Sequence, residues 1–143
     1  FVPLDELLEQ SDFVSLNAAA TAENRGIIGE AELRRMKETA YLINTARGSL
    51  LDEAAMVRGL EEGWIAGAAL DCFDKEPLAA DHPLRSAPNI LLCPHMAPFA
   101  WGNAQEMNRG AAQTILDLKA GKQPELVVNP EVFESEALRA ESI

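Results

Sequence analysis

The stretch LINTARGSLLDEAAMVRGLEEGWIAGAALDCF, residues 42–73, decides the fold, because it reads as a strand, a helix and a second strand. Its first segment belongs to AYLINTA (40–46), an apolar run that Asn44, Thr45 and Ala46 continue without a charge, as a buried strand requires. Asp52 is the side chain an N-cap needs for a helix through Glu62, and Gly63 stands where a left-handed stop belongs. IAGAALDCF (65–73) is apolar again and built from small residues. Between the first strand and the helix stands Arg47, followed at once by Gly48. An arginine is costly to bury. Either it marks where the chain leaves the core, with Gly48 making the turn, or it offers a planar fork of donors to a carboxylate at the sheet edge. Taken alone, the stretch leaves both readings open.

The flanking sequence extends the pattern. Pro3, placed at a first helical position, opens LDELLEQ, with Leu4, Leu7 and Leu8 on one face. DFVSLN (12–17) reads as a strand, AATAENRG as a loop, and EAELRRMK (30–37) as a short helix with Leu33 and Met36 inward. After the loop KEPLAADHPLRSAPN, ILLCPH (90–95) is another short strand. Asn103 followed by Glu106 resembles a capping box for a helix over 104–120, with a stripe of Ala104, Met107, Ala111, Ile115 and Leu118, closed by Gly121. Strands alternating with helices predict an α/β fold with a parallel sheet of about four strands and flanking helices. The uninterrupted apolar runs predict cover on both faces. Ligands bind such sheets outside the carboxyl ends of the strands. Arg47, Asp71 and His95 each fall at or near such an end, which favours the donor-fork reading of Arg47.

Composition narrows the function classes. With 143 residues, 48% hydrophobic and 24% charged, the chain has the make-up of an ordinary globular protein. A net charge of −11 argues against a nucleic-acid partner. Four acids and one arginine in the last thirteen residues suggest a solvated tail. Residues 86–105 lack charge, but Pro88, Pro94 and Pro98 argue against a membrane helix there. Cys72 and Cys93, both in apolar stretches, are expected to be buried reduced thiols, in keeping with a cytoplasmic location. His82 reads as an exposed loop histidine, and Arg34 as solvated surface. Cys93 and His95 have no second pair at ligand spacing, so no metal site is expected.

Glu76 follows Asp71 by five residues and shares its loop mouth. A carboxylate beside an imidazole fixes the tautomer and favours the charged ring, which suits proton transfer. Arg47 would hold an acidic substrate, and Asp71 could accept a hydrogen bond from an amide. Together these groups suit oxidation of a hydroxyl beside a carboxylate, with hydride passing to a cofactor in the same crevice.

The residues 42–78, followed by HPLRSAPNILLCPH (82–95), resemble the D-isomer-specific 2-hydroxyacid dehydrogenase family, which includes phosphoglycerate, glyoxylate and formate dehydrogenases. The likeness runs from Phe1 to about Pro130. It rests on the joint pattern Asn-x-x-Arg-Gly, Asp-x-x-x-x-Glu-Pro and Pro-His. By this resemblance Arg47 is the ligand of the substrate carboxylate and carbonyl, His95 the acid–base residue, and Glu76 the partner that orients it. Asp71 is the hydrogen-bond partner of the nicotinamide carboxamide, and backbone around Asn17, Ala18, Thr45 and Ala46 lines the dinucleotide. The cofactor implied is NAD or NADP, with NAD favoured. The substrate is a small 2-oxo or 2-hydroxy acid, and a homo-oligomer is expected.

Two departures stand out. Where the family often has His-x-Pro-x-Thr, this chain has NAAAT and keeps only Thr21. After His95 comes MAPFAWG, nearer the bulky sequence of the C-terminal-binding-protein branch of NAD(H)-sensitive corepressors, so Phe99 or Trp101 is expected near the substrate pocket. A dinucleotide-sensing interaction protein is therefore the alternative reading. No Gly-x-Gly-x-x-Gly occurs. With Phe1 in first place and no signal peptide, the chain reads as a fragment: the second half of a Rossmann-type doubly wound sheet (1–122), then a return segment and acidic tail (123–143). The isolated fragment is expected to be inactive.

Overall fold

The computed structural model describes residues 1–134; the tail from 135 onward and the side chain of Trp101 lie outside the described residues. The chain forms two compact units, Phe1–Ala97 and a second one beginning at Pro98.

In the first unit, helices and strands alternate as the apolar runs predict. They are α1 (Leu4–Gln10), β1 (Phe13–Leu16), α2 (Glu30–Arg35), β2 (Tyr41–Asn44), α3 (Glu53–Glu61), β3 (Gly67–Leu70) and β4 (Ile90–Leu92). The four strands make one sheet in the order β1-β2-β3-β4, every pair parallel. Strand neighbours in sequence are thus neighbours in space, as in one half of a doubly wound sheet.

Register explains the core. Val14, Leu42, Ala68 and Ile90 stand opposite one another across the sheet, as do Leu16, Asn44, Leu70 and Leu92. Side chains two apart along a strand share a face, so both rows face the same way. That face packs with Leu8 of α1, Leu33 of α2 and Ala55, Met56 and Leu60 of α3 in a single apolar cluster. Each fully buried Leu or Met there contributes about 1.5–3 kcal/mol.

The other face differs from the expected double cover. Phe13, Tyr41 and Leu91 remain exposed, with the Phe13 and Tyr41 rings stacked at 5.6 Å. An apolar run shows only that a residue tolerates burial, and within this unit the alternation of the pleat decides which residues receive it.

Local chemistry sets the element ends. Asp52 caps α3 as predicted, its carboxylate accepting the Ala55 N–H at 3.0 Å, and Gly63 takes φ +72 just beyond the helix. Pro3 sits one place before α1 as its N-cap rather than in its first turn, and of the three leucines expected inward only Leu8 is buried. Arg34 lies over the Trp64 ring at 3.7 Å rather than standing free in solvent.

In the second unit, α4 spans Trp101–Lys119. It starts earlier than the capping-box pattern predicts. Ala100, with the non-helical backbone φ −54, ψ 135, is the N-cap, and Asn103 lies inside the first turn. Met107 and Ile115 of the expected apolar stripe are exposed. Gly121 closes the helix at φ +67, and the Lys122 N–H bonds to Asp117 O at 2.8 Å. No described helix is long and apolar enough to cross a membrane.

Candidate active site

β2 ends at Asn44, and that residue shapes the turn beyond the strand. Its side chain is fully buried; Oδ1 accepts the Ala46 N–H at 3.1 Å and Nδ2 donates to the Arg47 carbonyl at 2.9 Å. The amide thereby imitates a turn and delivers Arg47 to the carboxyl edge of the sheet. Arg47 is exposed, and its guanidinium Nη1 donates to the Ala46 carbonyl at 2.6 Å. Gly48 is buried and begins a short 3₁₀ turn, Gly48–Leu50. It has no left-handed φ to accommodate. A Cβ on Gly48 would overlap the backbone of Phe73 and Asp74, so the glycine permits two chain segments to cross in contact. The expectation that Gly48 merely makes a turn is corrected by that crossing.

The segment it touches carries the acids. Asp71 follows β3 and is 6% exposed. Glu76 Oε1 accepts the Phe73 N–H at 2.9 Å, and its Oε2 lies 2.8 Å from His95 Nδ1. The His95 bond first, and the Phe73 amide second, hold the Glu76 carboxyl below its ordinary range. An ionised carboxylate only accepts, so Nδ1 carries the proton and Nε2 is the ring nitrogen left for proton exchange. His95 itself has φ +55, in the left-handed region that side chains seldom adopt. Asp71 reaches that turn, Oδ1 accepting the Met96 N–H and Oδ2 the Ala97 N–H, each at 2.7 Å.

The residues of this edge line two concavities. A groove of about 470 Å³ is lined by Asn17, Ala18, Ala19, Ala20, Thr45, Ala46 and Arg47. A cavity of about 340 Å³ includes Phe73, Glu76, Leu92, Cys93 and His95 in its wall. The structure joins Glu76 to His95 and Asp71 to the His95 turn. No hydrogen bond or ion pair joins Arg47 to any of the three; it lines the other concavity, as do Asn17, Ala18, Thr45 and Ala46.

His82 is half-buried rather than an exposed loop histidine. Its Nδ1 accepts the Leu84 N–H at 3.3 Å and its Nε2 lies 3.4 Å from Glu53. Glu53 also accepts the Asp74 N–H at 2.8 Å, tying the loop before Glu76 to the start of α3. Both cysteines are free; Cys72 is buried and Cys93 only partly so. Among the described residues no group of three His, Cys, Asp or Glu side chains gathers as metal ligands would. Sequence reasoning named Asn44 and Gly48 but missed their roles, an amide that shapes the turn and a glycine that lets two segments cross. Their signals were an uncharged amide inside an apolar strand and a glycine directly after a charged residue.

Comparison with known proteins places this arrangement. Residues 1–97 match the profile of the D-isomer specific 2-hydroxyacid dehydrogenase NAD binding domain. A glyoxylate reductase of Thermofilum pendens is 48% identical over 133 residues, covering 93% of this chain and 39% of that protein. The crystal structure of TT0316 protein from Thermus thermophilus superposes with a TM-score of 0.83 at 38% identity, over 90% of this chain and 41% of that one. D-lactate dehydrogenase with NAD+ from Lactobacillus jensenii gives 0.80 at 30% identity, over 89% and 42%. The chain thus spans about two fifths of the length of the relatives it matches. With its profile match extending over the whole sheet and through His95, the chain belongs to the D-isomer specific 2-hydroxyacid dehydrogenase family.

Proposed function

We propose that this chain supplies the carboxyl-edge half of a nicotinamide-dependent site that interconverts a small 2-oxo acid and the matching 2-hydroxy acid. The observation that carries the reading is the His95–Glu76 pair at 2.8 Å on the sheet edge that also presents Arg47. The Arg47 guanidinium binds the substrate carboxylate and polarises its carbonyl. In reduction, the protonated His95 would give its Nε2 proton to the carbonyl oxygen; in oxidation it would take the hydroxyl proton back. Glu76 holds the ring and balances its charge while it is protonated.

The groove between β1 and β2 suits a dinucleotide. The small side chains of Ala18, Ala19, Ala20 and Ala46 leave backbone open to close approach, with Asn17 and Thr45 as polar contacts. The cofactor supplies the hydride donor or acceptor. We favour NAD over NADP, in keeping with the NAD+ named for the L. jensenii neighbour. Asp71 keeps a free lone pair on each oxygen for the carboxamide. A cytoplasmic location fits two free cysteines.

A homo-oligomer is the assembly we propose for the intact protein; in the 143-residue chain by itself, β1 is the outer strand and its free edge can pair with another chain. Light scattering of the 143-residue chain should show self-association, and NADH titration should show weak binding at best, since the chain lacks the glycine-rich pyrophosphate loop. A clean monomer with micromolar NADH affinity would contradict both expectations.

The test of function is NADH and NADPH consumption by the intact protein against a panel of 2-oxo acids, glyoxylate and pyruvate first. No turnover with any of them would defeat the proposal.

A further inference from the structure

We infer that Asp71 is a positioning residue for His95: its carboxylate holds the backbone of the next two residues and thereby fixes the left-handed turn that aims the imidazole at Glu76. This deepens the proposed function and rests on it for its kinetic consequence, though not for its structural one.

Three observations converge. First, His95 stands at φ +55, a form that costs an ordinary side chain energy unless its surroundings impose it. Second, the two N–H groups immediately after it, from Met96 and Ala97, both point at one carboxylate, at 2.7 Å each. Successive amides after a left-handed residue form a concavity that suits an anion, and here the anion is a side chain of the same chain. Third, Asp71 is 6% exposed, so its charge is compensated chiefly by these two bonds. Twenty-four residues separate Asp71 from His95 in sequence, but hydrogen bonds between β3 and β4 bring the strand ends together. Cys93 N–H, for one, bonds to Leu70 O at 2.9 Å.

The consequence is directional. Glu76 can orient the ring only if the main chain already presents it, and that presentation belongs to Asp71. Replacing the carboxylate by an amide of the same shape leaves one acceptor and puts an NH2 against the other N–H. One of the two bonds is then lost, and the turn is free to relax to negative φ. The two carboxylates thus divide the work: Asp71 places the turn and Glu76 sets the tautomer.

The test uses isotope-labelled Asp71→Asn, read by NMR on the full 143-residue chain. The expected result is that the Met96 and Ala97 amide protons, shifted downfield by the carboxylate, move upfield. The His95 ring nitrogens should pass from a single Nδ1–H tautomer to a mixture, while amides of β2 and β3 keep their positions. In the intact protein, kcat should fall on the order of 10²-fold, in addition to whatever NADH affinity is lost with the carboxamide bond. Unchanged Met96 and Ala97 amides, or an unchanged His95 tautomer, would overturn the inference. So would a loss confined to NADH affinity with kcat preserved, which would make Asp71 a cofactor ligand only.

Should Asp71→Asn fail to fold, Ala97→Pro removes one of the two donors from the opposite side and leaves the carboxylate in place. It should shift the His95 tautomer in the same direction, and an unshifted tautomer there would also overturn the inference. Because the spectrum needs no substrate, an intact protein without 2-oxo acid turnover would defeat the proposed function without deciding this point.

Discussion

At the Arg47 end of the site, backbone leans on backbone: Gly48 lies against Phe73 and Asp74, and the buried Asn44 amide closes the turn. At the His95 end, 24 residues beyond Asp71, one carboxylate takes the two amides of the turn and another takes the ring. The first end is set by shape and neutral hydrogen bonds, the second by charge. The difference teaches where each is vulnerable. Added volume should damage the Arg47 end at any pH, whereas the His95 end should yield to removal of charge or to acid.

The comparison is tested most severely at the reacting groups. In the intact protein, His95→Gln removes the exchangeable ring proton and should lower the rate on the order of 10²–10⁴-fold. Binding of NADH should change little. A rate within threefold of the parent would take His95 out of the chemistry and leave its turn without a purpose.

Arg47→Lys keeps the charge and loses the planar fork, so kcat/KM for the oxo acid should fall on the order of 10²-fold. KM should rise while NADH affinity stays near that of the parent. Unaltered kinetics would return Arg47 to a residue that merely marks where β2 leaves the core.

Gly48→Ala tests the shape-held end without touching a charge. The added methyl has to displace the Phe73–Asp74 backbone, at a cost of about 1–3 kcal/mol in overpacking. Thermal or urea unfolding of the variant measures it, and the loss should be equal at pH 5 and pH 8. A stability equal to the parent's would show that the crossing is slack.

The smallest expected effect is the acid response of the other end. Glu76 is held below its ordinary value of 4.5 by the His95 bond and the Phe73 amide. Its contribution to stability is therefore fully present above that ordinary value and is lost as pH falls through the lowered one. The stability difference between the parent and Glu76→Gln should be present at about pH 5 and shrink as pH falls below it. Because the pair is about one third exposed, the difference should be modest. A difference that stays constant to pH 2.5 would assign the stability to packing instead of charge.

Much of the first unit was legible in sequence because its signals are local. Apolar runs marked β1 to β4, and Asp52 and Gly63 marked both ends of α3. The residues proposed for the chemistry drew notice because Arg47, Asp71 and His95 are costly at the ends of buried strands, so their placement asked for an explanation. What escaped was non-local. Gly48 looks like a turn glycine until the Phe73 backbone is seen beside it. Asp71 offers a carboxylate, but no spacing rule says that the amides of Met96 and Ala97 will claim both oxygens. Asn103 satisfied a capping pattern that Ala100 pre-empted through its backbone angles. Phe13, Tyr41 and Leu91 show that a strand apolar on both sides can still leave one of them exposed.

The buried Cys72 thiol carries a use of its own. Burial first, and the charges of Glu76 and Asp71 next, push it up to about 11. The reactive thiolate is correspondingly scarce near neutral pH. Its Sγ lies 3.6 Å from Asn44 Oδ1 and 3.7 Å from Asn44 O, at the seam where β2 delivers Arg47 and β3 delivers Asp71. A thiol reagent therefore reaches Cys72 only when that seam parts, and the rate of its labelling is a clock for breathing at the junction of the two halves of the site.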